Sequence, residues 1–186
     1  MAQVYAVVYD KKGNFIVAKK NLYGYFFYKN GKGEIVPDGQ KLNGSGSYCF
    51  PGGKLEVKNP VAGALNEWEE ETRDKLTEKF KQTPKYFSNT QYYGIYFLVP
   101  DDINIEDLKV MINKNLKEGA DTAVEIQKKK ITKYDEISPL SPKDNELELC
   151  MVVNYKDLDK YFTKNDNATG WFYNIVQDIK KKNKWE

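Results

Sequence analysis

The chain has 186 residues and a formal net charge of +2, with 29 basic against 27 acidic residues, and its only arginine is Arg73. That near-balance leaves no strong electrostatic footprint for nucleic acid. The absence of histidine excludes Ser-His-Asp triads, Cys-His dyads, HExxH zinc sites and any imidazole acid or base.

Two cysteines, Cys49 and Cys150, are too few for a Cys-rich zinc site. An enzyme built on this sequence must therefore use carboxylates, lysines, hydroxyls or a hard cation held by oxygen. Hydrophobic residues at 40%, including 14 Tyr, 9 Phe and 3 Trp, supply the interior of one domain spanning 1–186. No segment is apolar over the length a bilayer requires, and the first ten residues lack signal-peptide features. A reduced, cytoplasmic setting is the simplest expectation.

In chain order, residues 3–9 and 15–18 read as a hairpin about a turn at Gly13. Residues 22–28 form either another strand or a loop carrying aromatic rings. The five glycines and Pro37 between 29 and 47 read as a long loop insertion. Pro51-Gly52-Gly53 is expected as a turn. Asn59-Pro60 opens a helix that runs to about residue 75. Residues 90–99 carry the strongest strand signal, and 105–118 a helix with Leu108, Met111, Ile112 and Leu116 on one face. A weakly alternating stretch, 123–131, is expected as a strand, 138–142 as a turn, 148–155 as a strand and 156–162 as a short helix. Gly170 precedes a last helix with an apolar stripe through Trp171, Phe172, Ile175, Val176 and Ile179, and 180–186 read as a solvated lysine-rich tail.

The chemistry concentrates in Gly52-Gly53-Lys54-Leu55-Glu56 and Asn66-Glu67-Trp68-Glu69-Glu70-Glu71-Thr72. On a helix, Glu67, Glu70 and Glu71 share one face because residues three and four apart are neighbours. Val61, Leu65, Trp68, Thr72 and Leu76 form another, suited to packing on a sheet. Converging carboxylates repel one another, and a divalent cation is a natural compensation. A Glu-rich helix is more often merely a solvated face. The glycine turn, the capped start and the anchored apolar face together favour a site.

At these residues the sequence resembles the Nudix hydrolase family, whose box is G-x5-E-x7-R-E-U-x-E-E-x-G-U, with U a bulky apolar residue. Residues 67–71 match E-U-x-E-E, and 51–56 match the lead-in P-G-G-x-x-E. The box, degenerate here, covers residues 52–74. Its loop is one residue short, Lys58 or Asn59 stands at the first Glu, Asn66 at the Arg, and Arg73-Asp74 at the closing Gly-U. The resemblance implies a Nudix-like α/β/α sandwich with a mixed central sheet. It implies a hydrolase dependent on Mg²⁺ or Mn²⁺ that cleaves the pyrophosphate linkage of a nucleoside diphosphate joined to another group. Glu67, Glu70 and Glu71 would be metal ligands and catalytic groups. Gly52, Gly53 and Lys54 would meet the substrate, and Glu56 would orient the loop or, as the second choice, ligate the metal directly. Glu125, Glu136, Glu146 and Glu148 stay open as later contributors of a base. The expected partner is a small-molecule nucleotide, in a chain that is monomeric or a homodimer and makes no membrane contact. The missing box residues support an alternative, a Nudix-fold nucleotide-binding or regulatory domain without turnover. Tyr23, Tyr25, Phe26, Phe27 and Tyr28 are either buried strand residues or stacking platforms, Trp171 and Phe172 are expected as core anchors, and Cys49 as a buried thiol.

Overall fold

Strand β1 (Gln3–Tyr9) is the axis of the molecule. In the computed structural model, which describes residues 2–82, 87–89, 91–167 and 169–185, this strand is buried on both faces. It pairs antiparallel with β2 (Asn14–Lys20) and parallel with β9 (Tyr92–Leu98). Between them in sequence come β3 (Tyr23–Lys29), β4 (Lys32–Lys41), β5 (Tyr48–Cys49), β6 (Gly52–Lys54), helix α1 (Pro60–Thr72), β7 (Lys81–Gln82) and β8 (Phe87–Ser88). After β9 follow α2 (Ile105–Gln127), β10 (Leu147–Asn154) and α3 (Gly170–Asn183). The sheet runs β10-β2-β1-β9-β7, with β5 on β2, β6 on β1 and β8 on β9, and it is mixed through the β1–β9 pair. Strands β3 and β4 form a separate two-stranded sheet.

Side chains alternate across a strand, so β1 assigns the helices to faces. A Cβ on Gly63 of α1 would lie 3.3 Å from Val4 Cγ1, which puts α1 on the Val4 face. The Phe172 ring of α3 stands 4.8 Å from the Tyr5 ring, edge-on, on the opposite face. Helix α2 is tied to the C-terminal end of α1 by Asn115, which donates to the Thr72 carbonyl at 3.0 Å. Its Asn113 donates to the Cys150 carbonyl and accepts the Cys150 N–H, so one amide satisfies backbone of the edge strand β10. The result is an α/β/α arrangement about a mixed sheet. None of the described helices is long and apolar enough to cross a membrane.

Four expectations are corrected. Residues 29–47 are not one loop: Asn30 and Gly31 both take positive φ, 52° and 75°, the turn that a two-residue hairpin requires, and β4 returns along β3. The stretch 123–131 is not a strand, because α2 extends to Gln127 with Ala123 and Ile126 continuing its buried stripe. Gly52 and Gly53 are not a turn but lie in β6, paired antiparallel with Tyr5 and Val4. The 180–186 segment is not a solvated tail as far as Trp185. The helix runs to Asn183, and Trp185 packs its ring on Tyr9, Phe15 and Tyr155. Glu186 lies outside the described residues, as does residue 90 at the start of the expected 90–99 strand.

Candidate functional site

Helix α1 is held at both ends and along one side. Asn59 accepts the N–H groups of Val61 and Ala62, and Pro60 takes the first turn. The helix ends at Arg73, which adopts the left-handed conformation (φ 62°) that usually falls to glycine. Its Nε–H donates to the Pro139 carbonyl at 2.6 Å, offsetting the strain of a side chain there. Trp68, fully buried, donates its indole N–H to Asp74 at 3.1 Å. These contacts fix the rotation of the helix and carry Glu67, Glu70 and Glu71 to the edge beside β6.

The three glutamates meet different surroundings. Glu71 is 1% exposed, and its Oε2 accepts the Gly52 N–H at 2.7 Å. Glu67 reaches over Gly53, where a Cβ would lie 2.5 Å from Glu67 Oε2. A Cβ on Gly52 would lie 2.2 Å from the Val4 carbonyl oxygen. The glycine pair thus answers two close approaches, one by strand backbone and one by a carboxylate. Glu70 is half-buried, and its backbone carbonyl accepts N–H bonds from Lys143 and Asp144 at 2.9 and 3.1 Å.

That last contact brings in a second segment. Residues 144–146 run along β3: Asp144 accepts the Tyr28 N–H, Asn145 accepts the Tyr25 N–H at 3.1 Å, and the Asn145 N–H donates to Phe26. Glu146 then pairs with Lys20 of β2, Nζ to Oε2 3.0 Å, with both side chains largely buried. Burial, reinforced by Glu70, Asp144, Glu146 and Glu56, pushes Glu67 up to about 8. Burial and Glu146 push Asp144 to about 8 despite the Tyr28 N–H. Glu71 is held well above the ordinary carboxylate range by burial and Glu146, against the opposing pull of Lys20. Burial also raises Glu70, while Lys143 opposes it. Acid side chains here outweigh their cations, and this is an environment that favours either protonation or a bound cation.

Beside the cluster opens a cavity of about 510 Å³. Gly52, Gly53 and Lys54 line it, with Lys20, Lys29 and Lys41 adding positive charge and Tyr48 and Trp171 aromatic surface. It has the size and mixed lining of a small-molecule site.

The expected residues distribute as follows. Glu67, Glu70 and Glu71 occupy one edge of α1, although Glu71 is buried against Gly52 whereas Glu67 and Glu70 are half-buried. Glu56 is exposed and accepts the Asn30 N–H at 3.4 Å, linking the β6–α1 loop to the β3–β4 turn. Of the four later acids only Glu146 approaches the cluster. Glu125 pairs with Lys128 and Lys130, Glu136 accepts the N–H groups of Thr132 and Lys133, and Glu148 pairs with Lys19. Phe26 and Phe27 are buried while Tyr23 is exposed, and Phe172 is a core residue whereas Trp171 is partly exposed at the cavity. Both cysteines are free and buried, and burial drives the Cys49 thiol up, away from nucleophilic use. Sequence spacing singles out neither Asp144 nor Lys20, because both join the cluster only through contacts between distant segments.

Among the described residues, no three His, Cys, Asp or Glu side chains converge closely enough to hold a metal ion. The donor set is nonetheless right in kind for a hard cation: carboxylate oxygens on one helix edge, with charge left uncompensated.

No family model matches the chain, and no curated protein matches it. Among solved structures it is similar to the MutT protein from Methanosarcina mazei Go1, with a TM-score of 0.49 and 14% identity over 99% of this chain and 95% of that one. It is also similar to the T. brucei MERS1–RNA complex, with a TM-score of 0.37 and 13% identity over 87% of this chain. The match covers 54% of that second chain, so this protein spans about half its length.

Proposed function

We propose that the protein is a Nudix-type hydrolase that uses Mg²⁺ or Mn²⁺ to cleave the pyrophosphate linkage of a nucleoside diphosphate joined to another group. One observation carries this reading: the glycine strand β6 has the under-compensated carboxylates of α1 packed against it, and the same glycines line a lysine-bearing cavity. Glu67 and Glu70, with the second oxygen of Glu71, would have to be drawn together by the ion to hold it. When bound, such an ion neutralises phosphate oxygens and lowers the pKa of water. The chain's own residues supply the rest. Lys54, Lys41 and Lys29 meet the negative charge of the phosphates, and Trp171 and Tyr48 offer rings for a base. Glu67, beside the ion, would be placed to accept a proton from water once the ion holds it as a carboxylate.

The test is a panel of dinucleotides, nucleotide sugars and nucleoside triphosphates assayed with Mg²⁺ and Mn²⁺. Metal-dependent turnover is expected, falling about 100-fold or more in Glu70→Gln. Turnover unchanged in Glu70→Gln and Glu71→Gln alike would remove the assigned site. A second reading, a nucleotide-binding domain without turnover, draws on Lys58 or Asn59 at the first box Glu and Asn66 at the box Arg. It predicts a calorimetric nucleotide-binding signal with no hydrolysis under any of these conditions.

A further inference from the structure

We infer that Lys20 is a counter-cation built into the carboxylate cluster, a positioning residue with which an incoming divalent ion competes. The inference rests on the reading of Glu67, Glu70 and Glu71 as cation ligands and goes beyond it, because Lys20 lies outside the box, on β2. Three observations meet at this side chain. It ends strand β2 beside the fully buried Ala18, and its side chain is largely buried. Its ammonium stands 3.0 Å from Glu146 Oε2, with side-chain exposures of only 19% and 23%. It also lines the cavity beside Gly52, whose N–H holds Glu71. Glu71 thus accepts the Gly52 amide and lies within the field of the Lys20 charge. Glu67 has Glu70, Asp144, Glu146 and Glu56 as its charged influences, all of them acids.

The charge order of the cluster follows. Lys20 screens the inner pair, Glu71 and Glu146, and Lys143 opposes the charge of Glu70, which leaves Glu67 as the strongest draw for a divalent ion. The cost is affinity. A fixed unit charge a few ångströms from a bound cation, in surroundings of intermediate dielectric, opposes binding by a factor of about ten or more.

The experiment is calorimetric titration of Mn²⁺ into the wild-type chain, Lys20→Met and Lys20→Arg, with no substrate present. Lys20→Met is expected to bind Mn²⁺ about tenfold more tightly or better, while Lys20→Arg stays within about threefold of the wild type, since it keeps the charge. If Lys20→Met fails to fold, Lys20→Gln replaces it with the same expectation, because its amide still donates to Glu146. A neutral variant that binds Mn²⁺ no more tightly than the wild type overturns the inference. Where wild-type binding is present and is lost in Glu70→Gln, that result leaves the hydrolase reading standing. If neither the wild type nor the neutral variant binds Mn²⁺ at millimolar concentration, both fall. Binding confined to the neutral variant supports Lys20 as the competing cation and counts against the hydrolase reading.

Discussion

Two acidic regions lie at opposite ends of the sheet, and they differ in how their charges are met. At the C-terminal ends of β1 and β9, Asp10, Asp101, Asp102 and Glu106 border a cavity of about 520 Å³. Each of these acids has a partner. Asp10 accepts the Lys12 and Asn14 N–H groups and the Asn14 amide, Lys11 pairs with Asp101 at 2.6 Å, Lys79 with Asp102 at 3.4 Å and Lys109 with Glu106 at 2.6 Å. Most of these side chains are exposed, so water screens them as well. At the other end, Glu67, Glu70, Glu71, Asp144 and Glu146 are buried or half-buried, and Lys20, Lys29 and Lys143 are the cations that act on them. Open parallel sheets usually place ligands at the carboxyl ends of their strands. Here the cavity at that end is electrostatically settled, and the unsettled charge lies at the amino end of β1. A count of acids does not locate a site; burial without compensation does.

This contrast can be broken by mutation. The largest stability effect is expected for Glu71→Ala, which strips the buried Gly52 N–H of its acceptor and leaves Lys20 with one carboxylate fewer. It should cost about 2–3 kcal/mol in urea unfolding, whereas Asp102→Ala should cost less than about 1 kcal/mol. Equal losses would dissolve the distinction. Glu71→Gln keeps an oxygen for Gly52 and removes the buried charge, so it should unfold at a denaturant concentration equal to or above that of the wild type.

A pH series sharpens the same point. A carboxyl raised to about 8 in the folded chain binds its proton more tightly there than in the unfolded chain. Stability from this group is thus full at pH below the ordinary carboxylate range and declines as pH climbs towards 8. Asp144→Asn retains an acceptor for the Tyr28 N–H and should flatten the fall in Tm between pH 5 and pH 8. A fall as steep as in the wild type would show that Asp144 does not carry it. The smallest effect is expected for Asp101→Asn, which removes an exposed pair and should change stability by about 0–1 kcal/mol, less still in high salt.

Much of this architecture was legible in the residues. The continuous apolar run 3–9 announced a doubly buried strand, and Asn59-Pro60 marked the start of α1. The spacing of Trp68 and Thr72 set which side of that helix would be buried and therefore which edge would carry the glutamates. Asn30-Gly31 is an equally direct hairpin signal, but the glycine-rich stretch after it has the composition of a loop and masks the returning strand. Helix α2 was cut short for a related reason. Gly119 and the β-branched Thr122 and Val124 weaken local helix preference, and the burial of Ala123 and Ile126 outweighs it.

Periodicity and capping chemistry act over a few residues, so the sequence by itself determined the strands around β1, the register of α1 and the shared edge of Glu67, Glu70 and Glu71. Only the tertiary structure decided that Glu71 would be sealed under Gly52, that Asp144 and Glu146 would arrive from some 75 residues downstream, and that Lys20 would meet them from β2. The physical reason is range: a hydrogen-bonded turn is set by its neighbours, whereas the charge state of a buried carboxylate is set by whatever the rest of the chain packs beside it.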